Sequence, residues 1–116
     1  DPDKDVQGNA EYLEIINKCK TDAPDAKIVL CTPPHATENP SMSNCGYAQR
    51  VNNAVAWTRK TAQKLGLYLV DVADCKEFCA ENESKYQPND GLHFSKEGYE
   101  VLAKYIFDAL KKERLL

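Results

Sequence analysis

Two short apolar segments, KIVLC at 27–31 and LYLVDV at 67–72, constrain the fold of this chain more than any other feature. The first is a continuous apolar run with β-branched residues, and Pro33 and Pro34 stop it abruptly. Neither segment shows the alternation of apolar and polar side chains that a strand with one solvated face would have. Such runs are typical of strands that are buried on both faces of a parallel sheet. Both segments are therefore predicted to be buried strands.

Helical periodicity surrounds these strands. Apolar residues recur at helical spacing in 9–20 and in 47–65, where Gly66 is expected to cap the C-terminus. A short helix is predicted at 73–81, and a long amphipathic helix begins after Ser95, a suitable N-cap. The predicted buried faces carry Tyr12, Ile15, Ile16 and Cys19 in the first helix and Tyr99, Leu102, Ala103, Ile106 and Leu110 in the last. The alternation of helices and strands indicates a doubly wound parallel α/β fold, flavodoxin-like in type.

Two strands make an incomplete sheet, because sheets commonly contain about 4–6 strands. Both predicted strands look central, so each requires a neighbour on either side. The length of 116 residues is that of one domain or part of one. Residues 1–116 are therefore predicted to be a single segment, the second half of an α/β domain whose N-terminal strands are absent from this chain.

The composition excludes several classes of function. A chain that is 42% hydrophobic and 28% charged is expected to be globular, and its net charge of −3 argues against nucleic acid as a partner. No apolar run approaches the ~20 residues of a membrane span, and the polar start is unlike a signal peptide. The five cysteines lack zinc-type spacing, and Cys75 and Cys79 are expected to pack in a reduced protein rather than to bind metal or form a redox pair. A cytoplasmic location is predicted.

The stretch NDGLHFSKEGY at 89–99 carries the strongest candidate for chemistry. Asp90 and His93 lie three residues apart, where a loop from the carboxyl end of the second strand leads into the last helix. Ligands of open α/β sheets bind at that end. An imidazole exchanges protons near neutral pH, and a carboxylate bonded to its other ring nitrogen fixes the tautomer. On spacing alone, the alternative remains open that Asp90 and Gly91 form only a turn and that His93 only flanks the helix cap.

A resemblance to a known family favours the catalytic interpretation. The segment DGLHFSKEGYEVLAKYI at 90–106 resembles the last sequence block of the SGNH (GDSL) hydrolases, in which an Asp-x-x-His pair followed by a glycine opens the final helix. AKIVLCTPPH at 26–35 is similar to a strand and loop that precede this block. NNAVAWTRKTAQKLGLYLVDV at 52–72 is similar to the helix and strand between them. Within the superfamily, the sequence looks most like the isoamyl acetate-hydrolysing esterases.

The resemblance implies a serine triad in which His93 is the general base and Asp90 orients it. The substrate would be a small carboxylic ester, and no cofactor or metal would be required. However, the Gly-Asp-Ser block that carries the nucleophile is absent, as are the glycine and the Gly-x-Asn-Asp block that supply oxyanion donors. The serines of this chain are Ser41, Ser43, Ser84 and Ser95. None of them follows an Asp in a strand-to-helix turn, and the isolated chain is therefore predicted to have no esterase activity.

One hypothesis accounts for both the incomplete sheet and the missing serine. The chain is interpreted as the C-terminal half of an SGNH hydrolase-like domain, whose partner is an N-terminal half-chain that carries the nucleophile. The alternative is a catalytically inactive α/β module that binds a partner or forms a homodimer through an exposed sheet edge. A different flavodoxin-like domain with the same strand order is a third interpretation.

The sequence contains three further candidate sites. Cys31 could form a thiolate pair with His35 or His93, although a cysteine at a strand end is more often part of the core. His35, Cys45 and His93 could bind a metal, but their irregular spacing argues against it. The polar segment 35–47 is expected to border the substrate pocket.

Overall fold

The computed structural model describes residues 9–36 and 47–116, which form four α-helices and two β-strands. The elements are α1 (Asn9–Asp22), β1 (Val29–Cys31), α2 (Tyr47–Leu65), β2 (Tyr68–Val70), α3 (Glu83–Tyr86) and α4 (Lys96–Lys112). Two 3₁₀ turns, Val72–Asp74 and Ala80–Asn82, lie between β2 and α3. The predicted alternation of helices and strands is confirmed.

The two strands are neighbours in a parallel sheet, with Val29 opposite Tyr68 and Cys31 opposite Val70. Helix α2 makes the connection between them, which is the βαβ arrangement that parallel strands require. Within the described residues the sheet has only these two strands. The parallel pairing agrees with the sequence prediction, although both strands are shorter than the apolar segments that predict them.

Helices cover both faces of the sheet. On one face, Leu30 lies in a cluster with Ile16 of α1 and Ala62 of α2. On the other face, Val70 belongs to a cluster that packs against α4 through residues such as Ile106. The two faces of a strand point in opposite directions, so a strand with apolar residues at every position requires cover on both sides. The protein therefore has three layers, as the apolar runs predict.

The end of α2 follows from a glycine. Gly66 has φ of 66°, a left-handed conformation that side chains disfavour. This turn lets the N–H of Leu67 donate to the carbonyl of Ala62 at 2.9 Å, which closes the last turn of the helix. The predicted C-terminal cap is confirmed, and it directs the chain straight into β2.

A polar network around the buried Thr32 joins the carboxyl ends of the strands. The Thr32 hydroxyl donates to Asp71 Oδ1 at 2.9 Å and accepts from the Ala73 N–H at 2.9 Å. Arg59 of α2 donates to both carboxylate oxygens of Asp71, at 3.0 and 3.2 Å. The Tyr105 hydroxyl of α4 donates to the Asp71 carbonyl at 2.9 Å. Asp71 thus links β1, α2, β2 and α4.

The segment 73–81 is not the α-helix that its composition predicts. It forms 3₁₀ turns instead, and Cys75 and Phe78 are buried in the core cluster below α4. Between the two 3₁₀ turns, the Phe78 N–H donates to the Cys75 carbonyl at 3.2 Å, which is a bond between residues three apart and not the four-residue spacing of an α-helix. Cys75 and Cys79 are both free thiols. The pKa of the Cys75 thiol is raised to about 11, mainly because the thiol is buried. Cys75 is therefore a core residue, as expected.

Some helix positions that were expected to be buried are exposed. Tyr99 is 57% exposed and Ile15 is 63% exposed, and Tyr12, Cys19 and Ala103 are also on the surface. A sheet of two strands offers a narrow surface, so each helix can cover it with only part of its apolar face. In α1 only Ile16 is fully buried. The pattern of apolar residues predicted the helices correctly but overestimated how much of them the described residues can bury.

Within 9–36 and 47–116, no helix combines the length and the apolar character that crossing a membrane demands.

Candidate active site

The loop between α3 and α4 is closed at its base by hydrogen bonds from one serine. The Ser95 N–H donates to the Tyr86 carbonyl at 2.9 Å, and the Ser95 hydroxyl donates to the Lys85 carbonyl at 2.7 Å. The same hydroxyl accepts from the Gly98 N–H at 3.1 Å and caps α4, as predicted. Both ends of the loop 86–95 are therefore fixed where α4 begins.

The beginning of α4 requires a glycine at position 98. A Cβ at that position would lie 2.5 Å from the Tyr86 carbonyl oxygen and 3.0 Å from the Phe94 ring. Such a contact is too short for any real side chain, and the carbonyl oxygen is held in the backbone. Gly98 thus allows the first turn of α4 to lie directly against the end of α3, which sets the position of the loop.

Asp90 organises the tip of this loop. Its Oδ1 accepts hydrogen bonds from the N–H of Leu92 at 3.0 Å and of His93 at 2.8 Å. Its Oδ2 lies 2.5 Å from His93 Nδ1. Gly91, with φ of 71°, provides the left-handed turn that brings the carboxylate back over the residues that follow it. The two residues that the sequence singles out are therefore in direct contact.

The electrostatics of Asp90 follow from these contacts. Its hydrogen bond to the His93 side chain, followed by the bond from the His93 N–H, lowers the pKa of Asp90 from 3.8 to about 2. Donors that face a carboxylate stabilise its charged form. Asp90 is therefore ionised at neutral pH and acts as a hydrogen-bond acceptor for the imidazole.

His93 and Phe94 point in different directions. The ring of Phe94 packs against Phe78, with 4.8 Å between the ring centroids, and belongs to the apolar surroundings of the core. The side chain of His93 is 75% exposed, whereas that of Asp90 is 21% exposed. When Nδ1 carries the proton that binds Asp90, the other nitrogen, Nε2, bears a lone pair. The arrangement gives an accessible imidazole with one fixed ring nitrogen and one nitrogen available to accept a proton.

The sequence model of the GDSL-like lipase/acylhydrolase family matches residues 1–101, which is most of the chain. The chain belongs to this family. Membership supports a hydrolase-type function and agrees with the resemblance found in the sequence blocks around Cys31 and His93. No curated protein gave a significant match.

Two solved structures resemble the chain at the level of fold. One is the esterase domain of the ZfL2-1 ORF1 protein from the zebrafish ZfL2-1 retrotransposon, with a TM-score of 0.67 and 18% identity over 89% of this chain and 56% of that one. A second crystal structure has a TM-score of 0.66 and 24% identity over 84% of this chain and 48% of that one. The GDSL-family chain thus spans about half the length of both structures.

The other candidate sites receive less support. Loss of hydration raises the pKa of the Cys31 thiol above its usual range, which is the opposite of what a thiolate nucleophile requires. In the described part of the chain, no group of three His, Cys, Asp or Glu side chains could hold a metal. Cys45, Ser41, Ser43 and most of the segment 35–47 lie outside the described residues.

Sequence reasoning missed one residue of the loop, Gln87. Its side chain is fully buried, at 0% exposure, and its amide nitrogen donates to the backbone carbonyls of Gly91 in the loop and of His35 after β1. Nothing in the local pattern marks it, because a glutamine between a tyrosine and a proline in a polar loop is ordinarily exposed. Only the folded loop brings its partners together.

Proposed function

We propose that this chain supplies the Asp-His part of a Ser-His-Asp triad in a carboxylic-ester hydrolase. The serine comes from a Gly-Asp-Ser segment, and the oxyanion donors come from a glycine and a Gly-x-Asn-Asp block; these blocks are not part of these 116 residues. The observation that carries the proposal is the contact between Asp90 and His93 in an exposed loop. Family membership supports it independently.

In the proposed reaction, His93 accepts the serine proton as the serine oxygen attacks the ester carbonyl carbon. His93 then gives this proton to the departing alcohol as the carbon–oxygen bond breaks, which leaves an acyl-serine. Water attacks the acyl group with His93 again as the base, and the carboxylic acid and the free serine result. Asp90 keeps its charge throughout and stabilises the imidazolium that forms twice in each cycle.

The fold supports completion by another segment. The described sheet has two strands, and the chain spans 56% and 48% of the two solved structures that share its fold. Exposed apolar side chains on α1, such as Ile15, are available for burial. We call this chain together with the polypeptide that carries the Gly-Asp-Ser segment the completed domain. In this proposal the N-terminal strands of the sheet belong to that polypeptide.

The proposed substrates are small esters, as in the isoamyl acetate-hydrolysing subgroup that the sequence resembles. The proposed compartment is the cytoplasm, and the four free cysteines among the described residues are consistent with a reducing environment.

The test is hydrolysis of p-nitrophenyl acetate by this chain alone and by the completed domain. We expect turnover by the completed domain only, and a loss of several orders of magnitude for His93→Ala. His35→Ala is the matched control, since it removes the other histidine of the chain and should leave the rate nearly unchanged. Turnover by the chain alone, or wild-type activity in His93→Ala, would refute the proposal.

A second candidate function is that of an inactive module that self-associates. The two-stranded sheet of the described residues favours it, because a parallel edge such as β1 can pair with a second copy or with a partner strand. Light scattering distinguishes the two. A stable homodimer without a serine-bearing partner would favour the module, whereas a monomer would exclude the homodimer.

A further inference from the structure

The buried side chain of Gln87 connects the loop that carries Asp90 and His93 to the end of β1. Its Nε2 donates to the Gly91 carbonyl at 3.2 Å and to the His35 carbonyl at 2.9 Å. The Gly91 N–H donates in turn to the Gln87 carbonyl at 3.2 Å. Gly91, which provides the left-handed turn next to Asp90, is therefore bonded to Gln87 through both of its backbone groups.

The chemistry of the site fixes the orientation of the amide. Both close neighbours are carbonyl oxygens, so the nitrogen must face them, because the opposite orientation would place three oxygens together. This leaves Oε1 of Gln87 buried, and no donor from residues 9–36 or 47–116 reaches it. A buried acceptor without a donor destabilises the folded chain, because the hydrogen bond that water would give it is lost. A glutamine at this position is therefore difficult to explain by stability alone.

We propose that Gln87 is a positioning residue that holds the Asp90–His93 turn at a fixed place relative to the end of β1. It acts through Gly91, and it makes no contact with a reacting atom. The inference rests on the proposed function in one respect: the position becomes important for catalysis only if His93 must meet a serine from another segment. The placement itself is a property of this chain.

The geometry explains why a fixed link is needed here. The bonds of Asp90 to Leu92 and His93 span at most three residues, and none of these bonds ties the turn to the sheet. Ser95 fixes the base of the loop, but it lies on the helix side. Gln87 links this loop to the residues that follow β1. These residues lie at the carboxyl ends of the strands, where open α/β sheets bind ligands.

Nuclear magnetic resonance on the unmodified chain tests the link directly. Through-hydrogen-bond couplings are expected from the Gln87 side-chain nitrogen to the carbonyl carbons of His35 and Gly91, and both amide protons should exchange slowly with solvent. Rapid exchange with no detectable coupling would overturn the proposal without any mutation.

The variant Gln87→Met tests the consequence, since methionine has a similar length and no donors. We expect the pKa of Asp90 to rise from about 2 toward 3.8, because loss of the side-chain bond to the Gly91 carbonyl loosens the left-handed turn and weakens the hydrogen bonds from His93 and Leu92 that lower this pKa. Thr32→Val is the matched control: it also removes a buried polar group, one that bonds to Asp71 and Ala73, and should leave the Asp90 titration unchanged. An unchanged Asp90 titration in folded Gln87→Met would contradict the proposal.

Activity separates this inference from the proposed function. In the completed domain, Gln87→Met should lower kcat with little change in KM, because the turn is displaced but the substrate pocket remains. If the titration responds and the completed domain has no esterase activity, then the positioning role stands and the proposed function fails. If the completed domain is active and Gln87→Met keeps the wild-type kcat, then the positioning role is wrong.

Discussion

Two aspartates of this chain, Asp71 and Asp90, both accept hydrogen bonds from a basic side chain, but their partners lie at very different distances along the sequence. Asp71 binds Thr32 and Arg59, which are 39 and 12 residues away. Asp90 accepts hydrogen bonds from Leu92 and His93, which are two and three residues away, and the side chain of its basic partner His93 is 75% exposed.

The difference separates a structural carboxylate from a candidate catalytic one. Bonds from distant elements to Asp71 hold strands and helices together, so loss of this group should affect folding. Local bonds to Asp90 hold one imidazole in one orientation, and their loss should affect chemistry while leaving the fold nearly intact. Both sites pair an aspartate with a basic side chain, but substitution of Asp71 is expected to affect stability and substitution of Asp90 to affect catalysis.

The largest expected effect is catalytic. In the completed domain, Asp90→Asn should lower kcat about 10³–10⁴-fold, because an amide nitrogen facing Nδ1 favours the wrong imidazole tautomer. Asp71→Asn should change kcat little. The rate of p-nitrophenyl acetate hydrolysis at saturating substrate is the measurement, and equal losses in the two variants would remove the distinction.

For stability, the order of the two positions should be reversed: substitution of Asp71 should cost more than substitution of Asp90. Asp71→Ala leaves the hydroxyl of Thr32, which is 2% exposed, without its acceptor, and we expect a loss of about 1–3 kcal/mol in the free energy of unfolding. Asp90→Ala should cost less, since water can reach the loop tip. Urea denaturation of both variants at pH 7 gives the comparison. A larger loss for Asp90→Ala would show that its loop is part of the folding core.

Gly98→Ala tests the support of the loop that carries Asp90 and His93. The added methyl group would meet the Tyr86 carbonyl at 2.5 Å, and overpacking of this kind costs about 1–3 kcal/mol, which outweighs the gain in helix propensity. Gly66→Ala is the control, because no atom lies within 4 Å of its Cβ position and the cost there arises from the positive φ alone. Thermal unfolding should show the larger loss at Gly98, and equal losses would refute the steric explanation.

The smallest expected effect concerns acid stability. The folded pKa of Asp90 is about 2, below its ordinary 3.8, so its charged form stabilises the folded chain at pH values above 3.8. This contribution is lost as the pH falls from 3.8 toward 2. Between pH 5 and pH 2.5, the wild type should therefore lose more stability than Asp90→Asn. The free energy of unfolding of both proteins is measured by urea denaturation at the two pH values. Equal losses in the wild type and in Asp90→Asn would contradict the assignment.

The sequence predicted those parts of the fold that depend on local patterns. The apolar runs, the glycine cap at Gly66 and the N-cap at Ser95 each predict a feature from neighbouring residues, and each was confirmed. The prediction of a helix over 73–81 was wrong. The segment forms turns, and Cys75 and Phe78 are buried against α4, a tertiary contact that the local pattern does not show.

In the candidate site, too, the local contacts could be predicted from the sequence and the distant ones could not. The contact between Asp90 and His93 could be anticipated from a spacing of three residues and a glycine between them. The role of Gln87 could not, because its partner at His35 lies 52 residues away and only the folded chain brings the two together.

The most direct measurement is to label the native preparation with a fluorophosphonate, which traps activated serines, and to locate the label by mass spectrometry. The account predicts one labelled serine in a Gly-Asp-Ser segment outside these 116 residues, and no labelling when His93 is replaced by alanine. A label on Ser41, Ser43, Ser84 or Ser95, or a label that persists in His93→Ala, would contradict the claim that this chain provides the Asp-His half of a shared triad.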